Sequence, residues 1–135
     1  IVPSGTAFFS ARVIVGGSVQ TGSTYSAGFN AINSQGGHAF LNSNTFTAFP
    51  LSNAAVTAGQ SGGIQGDFTL FNPSGTALKK SVLYSMTYCQ GSVIATTGIG
   101  GGMFTNGTAA VTGINLFFDS SANINSGVIK LYGVT

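Results

Sequence analysis

The sequence predicts an all-β domain of the β-sandwich kind, and three observations carry that reading. Helix formers are scarce and Glu is missing altogether, while Val, Ile, Thr, Phe and Tyr are common. These residues suit a pleated, half-buried surface. Gly, Asn and Ser clusters recur along the chain, as closely spaced turns require. Apolar residues alternate at period two in several stretches, and no stretch keeps a helical period over three turns. Short strands with frequent turns describe a sandwich or barrel. The 135 residues, 43% of them apolar, form one domain able to bury a core. A positive mean hydropathy of +0.38 and a net charge of +2 exclude an intrinsically disordered chain.

The first strand is read at Phe8 to Val15, ended by Gly16-Gly17. Tyr25 to Ile32 alternates, with Tyr25, Ala27, Phe29 and Ala31 on one face, and Gly36-Gly37 turns the chain. His38 to Leu41 and Thr45 to Phe49 are two short candidates, the second ended by Pro50. Ala54 to Gly63 reads as a small-residue loop with room for a brief strand. The first 60 residues hold fewer bulky apolar groups than the remainder, which predicts thin packing or a subunit contact there.

Ile64 to Phe71 sets Ile64, Phe68 and Leu70 on one face, and Asn72-Pro73-Ser74-Gly75 is a turn with Pro suited to its second position. Leu78 to Gln90 is a long strand, with Val82, Tyr84, Met86 and Tyr88 opposite Leu83, Ser85, Thr87 and Cys89. Val93 to Thr97 follows, and Gly98 to Gly102 (GIGGG) reads as a floppy or closely packed turn. Asn106-Gly107 is a type I′ hairpin signal. It would join Met103-Phe104 to a strand from Ala109 to Asp119, in which Ile114, Leu116 and Phe118 share a face. The last strand is read at Gly127 to Val134. The expected core is Phe68, Leu70, Val82, Tyr84, Met86, Ile114, Leu116, Phe118, Ile129 and Leu131.

Charge is the most unusual property of the chain. Asp67 and Asp119 are the only acids, and Arg12, Lys79, Lys80 and Lys130 the only bases, 4% of the sequence in all. A soluble domain ordinarily carries about 25%. Solubility here rests on hydroxyls and amides, which suits a protein packed against copies of itself or against a larger particle. The pI near 8.9 rests on four bases against two acids. Only Lys79-Lys80 are adjacent, so no nucleic-acid patch is expected. No window approaches the 18 apolar residues of a membrane-spanning helix. The sequence opens IVPSGTAFF with neither Met nor the basic n-region of a signal peptide, which is expected of a processed N-terminus or of one part of a longer polypeptide.

Catalysis needs positioned acids, bases and nucleophiles. His38, the single histidine, lies between Gly37 and Ala39 without a nucleophile motif, and reads as a surface or structural residue. Asp67 and Asp119 each flank a strand and read as turn caps or strand ends, not as a hydrolytic pair. Cys89, the single cysteine, can form no intrachain disulfide and reads as a small buried hydrophobe. No zinc or calcium spacing is present. GIGGG lacks the Lys and the following helix of a phosphate loop. Asn106-Gly107-Thr108 fits a glycosylation sequon but reads first as a turn. Tyr25, Tyr84, Tyr88 and Tyr132 read as core, with a sugar-binding surface or a subunit seam as the other role. No catalytic, cofactor or metal residue is therefore expected.

Two stretches resemble a known family. Residues 117–134, FFDSSANINSGVIKLYGV, resemble the ending of many tailed-bacteriophage virion proteins, in which a strand is followed by an NIxSGxIxLYG passage. Residues 66–74, GDFTLFNPS, with Lys79-Lys80 close behind, resemble a mid-domain strand and turn of the same proteins. The first 60 residues carry no such likeness. The resemblance implies a jelly-roll-like β-sandwich that oligomerises, with threefold symmetry favoured, and transfers no catalytic or ligand residue. The expected function is a virion structural protein of the tail fibre, tail tip or particle surface, its partners being other copies of itself and other virion proteins. Two alternatives are a capsid decoration protein and a carbohydrate-binding module directed at a host-surface glycan.

Overall fold

The computed structural model describes residues 1–58, 63–91 and 93–133. Among them no helix forms, and eleven strands follow in order. They are β1 (Val2–Pro3), β2 (Phe9–Val15), β3 (Ser18–Val19), β4 (Tyr25–Asn33), β5 (His38–Phe46) and β6 (Phe49–Pro50). Then come β7 (Ile64–Leu70), β8 (Lys80–Gln90), β9 (Ile94–Phe104), β10 (Val111–Phe118) and β11 (Ile124–Ser126). A five-stranded sheet runs β5-β4-β9-β8-β7. Facing it is a smaller sheet in the order β10-β2-β3, with β6 also paired to β2. β1 and β11 form a separate two-stranded ribbon. Every pairing is antiparallel, and the arrangement is a β-sandwich.

Alternation decides which residues enter the core. Tyr25, Ala27, Phe29 and Ala31 of β4 are buried, as are Val82, Tyr84, Met86 and Tyr88 of β8. Both faces are those read from the sequence. The smaller sheet answers with Phe9, Ala11, Val13 and Phe118. Phe49 closes the seam between the layers, meeting Tyr25 edge-on at 4.9 Å and Phe68 at 6.2 Å. The Tyr25 hydroxyl is satisfied by accepting from Val13 N–H at 3.2 Å and donating to the Gln20 carbonyl at 2.7 Å.

The expectation for GIGGG is overturned. Residues 98–102 lie inside β9, the central strand of the larger sheet. One row across that sheet reads Leu41, Phe29, Gly100, Tyr84, Phe68. The backbones of β4 and β8, two strands apart, are about 9.6 Å from each other. Yet the Phe29 and Tyr84 rings stack with centroids 5.9 Å apart, and Tyr84 stacks on Phe68 at 6.1 Å. The rings close over β9 because Gly98 and Gly100 have no side chains. A Cβ there would lie 2.2 Å from the Tyr84 ring, and one on Gly98 would lie 2.4 Å from the Phe29 ring. Glycine in a strand weakens it in isolation, but aromatic rings covering it restore the packing.

Asn106-Gly107 is not a hairpin. β9 and β10 belong to different sheets, so the segment between them is a crossover from one layer to the other. Gly107 takes the positive φ of 86° that its sequence suggested. A buried ammonium fixes this crossover. Lys80, 1% exposed, donates through Nζ to the carbonyls of Gly75 at 2.5 Å, Leu78 at 2.8 Å and Thr108 at 3.0 Å. It thereby ties the Asn72–Gly75 turn to the crossover with no carboxylate involved.

Four further expectations change. His38–Phe46 is one continuous strand, because pairing with β4 carries it through the polar residues 42–45. The first 60 residues are densely packed, supplying Phe9, Val13, Tyr25, Phe29, Phe49, Leu51 and Val56 to the core. Small neighbours such as Ala11, Ala27 and Ala31 let these large groups interdigitate. Val56 makes an isolated bridge to Ala7, within the loop where a brief strand was expected, while residues 59–62 fall outside the described ones. The final strand is absent from 127–133, and Val134 lies outside the described residues. Ile129 and Leu131 are exposed, Leu131 at 93%. Of the other expected core residues, Phe68, Leu70, Ile114 and Leu116 are half-buried against the core and Val82, Tyr84, Met86 and Phe118 are within it.

Two stability predictions follow from this packing. Gly100→Ala should cost about 1–3 kcal/mol through overpacking, whereas Gly101→Ala, whose Cβ meets no ring, should cost clearly less; urea unfolding of the pair measures the difference. Lys80→Met should cost roughly 3 kcal/mol, since three carbonyls lose a charged donor, read as a lowered unfolding midpoint.

Candidate functional site

The outer face of the five-stranded sheet is built by the residues that alternate with the core. Strand by strand it presents His38, Phe40 and Asn42, then Ile32 and Asn30, then Thr97, Ile99 and Met103, then Leu83, Ser85 and Thr87, then Gln65, Asp67 and Thr69. Phe40 (70% exposed), Ile99, Leu83, Ile32 and Met103 are large apolar groups open to solvent. The polar residues among them are short and neutral. Thr87 and Thr97 pair hydroxyl to hydroxyl at 3.0 Å. Asp67 stands on the β7 margin of this face and His38 on the β5 margin. A shallow hollow of about 270 Å³ beside Ile32, His38, Thr97 and Ile99 breaks its surface.

A second feature is the segment after β11. Gly127 packs against Ile1. Beyond it Val128, Ile129, Leu131 and Tyr132 are all exposed, and among the described residues no strand pairs with 127–133. β7 is the terminal strand of its sheet on the other side of β8. Its first residue, Ile64, exchanges hydrogen bonds with Ile1, each at 2.8 Å.

A third feature is a hollow of about 200 Å³ where β4, β5, β8 and β9 meet the Asn53–Ala54 segment, lined by Asn33, Gly37, Asn53, Gln90 and Thr96 among others. Asn33 uses its side-chain oxygen to hold the Gln35 and Gly37 amides at 3.0 and 2.9 Å. Asn53 accepts from the Tyr88 hydroxyl. The Thr96 hydroxyl is buried with no hydrogen-bond partner among the described residues.

The titratable residues singled out in the sequence do not converge. His38 is exposed at the start of β5. Asp67 is exposed on the larger sheet, while Asp119 sits at the end of β10 and accepts from Phe8 N–H at 2.9 Å, the strand-end role read for it. Cys89 is half-buried and contacts the Gly91 carbonyl at 3.6 Å, so it is less enclosed than expected. Arg12 lies over the Phe117 ring at 4.4 Å and donates to the Thr47 carbonyl at 2.9 Å. Among the described residues no three His, Cys, Asp or Glu side chains gather as a metal site would need. Tyr25, Tyr84 and Tyr88 are core residues and Tyr132 is exposed. The outer-face apolar residues were missed as a group. Their signal was present in β9, where Ile99 and Met103 alternate with glycines, but only the pairing register assembles them with Ile32, Phe40 and Leu83. Comparison with protein-family models, with curated proteins and with solved structures finds no match.

Burial raises the pKa of Tyr84, and of Tyr25 and Tyr88 despite the hydrogen bonds that partly oppose it. The folded state therefore holds these phenolic protons more tightly than the unfolded chain. The resulting stability is fully present below about pH 10, the unfolded value, and is lost as pH climbs toward the raised folded values. A spectrophotometric alkaline titration should show these tyrosines ionising together with loss of near-ultraviolet dichroism; independent, non-cooperative ionisation in a folded protein would contradict their burial.

Proposed function

We propose that this chain is a structural module of a virus particle of the tailed-phage kind, in the tail fibre, tail tip or another surface position, with the jelly-roll winding that the family likeness implies. The observation that carries the reading is the outer face of the five-stranded sheet. It displays five large exposed apolar residues with charge only at its margins. Five strands about 4.8 Å apart and some 25 Å long give a face on the order of 600 Å², close to the roughly 800 Å² each partner buries in a stable interface. Such a surface on a chain almost without charge suits permanent assembly, where no repulsion between neighbours has to be overcome. The stretches at 66–74 and 117–134 point to the same class of protein. A decoration protein on the capsid lattice would use the same face, so position on the particle separates the two forms of the reading.

A carbohydrate-binding module is the second reading, and the hollow at Asn33, Asn53, Gln90 and Thr96 favours it. Its carboxamides and the unpartnered Thr96 hydroxyl offer donors and acceptors. Its volume falls below the roughly 300 Å³ at which ordinary ligand pockets begin, and the tyrosines that could stack on a sugar ring are in the core, apart from Tyr132.

Particles purified by density gradient from a lysate that expresses the chain decide the first reading. Quantitative mass spectrometry should find it at many copies per particle, and gold labelling should mark a fixed location, tail or capsid. Recovery only in the particle-free fractions would overturn it. Glycan-array binding abolished by Gln90→Ala would instead support the second.

A further inference from the structure

We propose that residues 127–133 act as a donated strand that pairs antiparallel with the open edge of β7 in a second copy of this chain. The proposal rests on the reading of the chain as an assembly module, and is independent of which particle it serves.

The donor is a strand without a sheet. GVIKLYG has β-prone side chains at alternating positions, and Val128, Ile129, Leu131 and Tyr132 are all exposed. An exposed apolar segment of this kind ordinarily finds a partner. The acceptor is the free edge of β7. Ile64 turns its N–H and C=O outward to Ile1. Backbone direction alternates along an antiparallel strand, so Gly66, Phe68 and Leu70 aim the same way. No strand of the described residues takes those groups.

The two segments match in register. Placing Lys130 opposite Asp67 sets Gly127 beside Leu70, Ile129 beside Phe68 and Leu131 beside Gly66. Ile129 and Leu131 then continue the core-facing side, where Phe68 and Leu70 are only half-buried, and Leu131 lies over the residue that has no side chain. Val128, Lys130 and Tyr132 continue the outer face beside Thr69, Asp67 and Gln65. Apolar pattern is what fixes register in a half-buried strand. A shift by one residue would turn Ile129 and Leu131 to solvent. The same alignment brings together Asp67, the exposed acid, and Lys130, the base on the segment. The pairing ends where Ile1 already holds Ile64.

The chain's own β7 is the wrong partner for this geometry. Gly127 is packed on Ile1, at the Ile64 end of β7. Antiparallel addition must begin at the Leu70 end, about 20 Å away along a seven-residue strand. A second copy supplies that end directly, by the same strand-addition chemistry that sheet edges offer to peptides. Donor and acceptor are different surfaces, so the contact is head-to-tail and propagates until a ring closes.

Disulfide trapping tests the pairing. Asp67 and Lys130 would form a non-hydrogen-bonded pair, with Cα atoms about 4.5 Å apart, inside the range a disulfide spans. In a Cys89→Ser background, Asp67→Cys molecules mixed with Lys130→Cys molecules should give a mixed dimer on mild oxidation. The double variant should give intermolecular rings or ladders. A double variant that closes only within itself, or no cross-link in either experiment, overturns the proposal. Ile129→Asp with Leu131→Asp supplies an independent measurement. Both residues are exposed on the single chain, so circular dichroism and Tm should be unchanged while self-association, read by sedimentation, weakens on the order of tenfold or more. Association unchanged by this variant refutes the strand donation, but it leaves the particle-fractionation result, and with it the assembly reading, standing.

Discussion

Gly100 sits at the centre of the larger sheet, with Phe29 on one side and Tyr84 on the other. The two rings meet above it, and Phe68 extends the stack toward β7. A side chain at Gly100 would occupy the space the Tyr84 ring fills, and one at Gly98 the space of the Phe29 ring. That constraint governs much of the fold. It requires β9 to be an interior strand, since an edge strand has a neighbour on one side only. It also places the stack beneath Phe49, which carries the contact to the smaller sheet. The glycines of β9 thus serve packing, and the strand's intrinsic weakness is offset by the rings that cover it.

With so few charges, polar groups inside the protein must be satisfied by the backbone. Lys80 shows how. Its ammonium is buried without a carboxylate, and three carbonyls accept its hydrogen bonds. A buried charge without such partners would be very costly. Here the arrangement joins the turn before β8 to the crossover before β10, so it helps fix how the two sheets are connected. Tyr25 and Tyr88 do similar work, bridging β2 and the Asn53–Ala54 segment through their hydroxyls.

The proposed assembly follows from what this inner packing leaves over. Since the inward positions hold the aromatics, the outward positions of β9 and β8 carry Ile99, Met103 and Leu83 with short hydroxyl residues between them. Among the described residues the sheet ends at β7, whose edge no strand covers, and 127–133 form a strand-like segment with no sheet. Both features belong to one molecule, so copies of it can satisfy each other without a different protein.

Alternation and turn chemistry by themselves determined the all-β class, the faces of β4 and β8, and the turns at Gly16-Gly17, Gly36-Gly37 and Asn72–Gly75. These are local properties, set by period two and by residues that accept positive φ. Four things were decided only by tertiary structure. GIGGG looked like a flexible turn because glycine lowers strand propensity, and only the rings of Phe29 and Tyr84, distant in sequence, make it a central strand. Asn106-Gly107 looked like a hairpin because turn chemistry is the same whether the next strand returns to its neighbour or crosses to the other layer. Residues 127–133 have the composition of a strand, but a strand needs a partner, and none of the described strands pairs with them. The outer apolar face was hidden for a related reason: its members lie on four strands, and pairing register, which no single segment contains, brings them together.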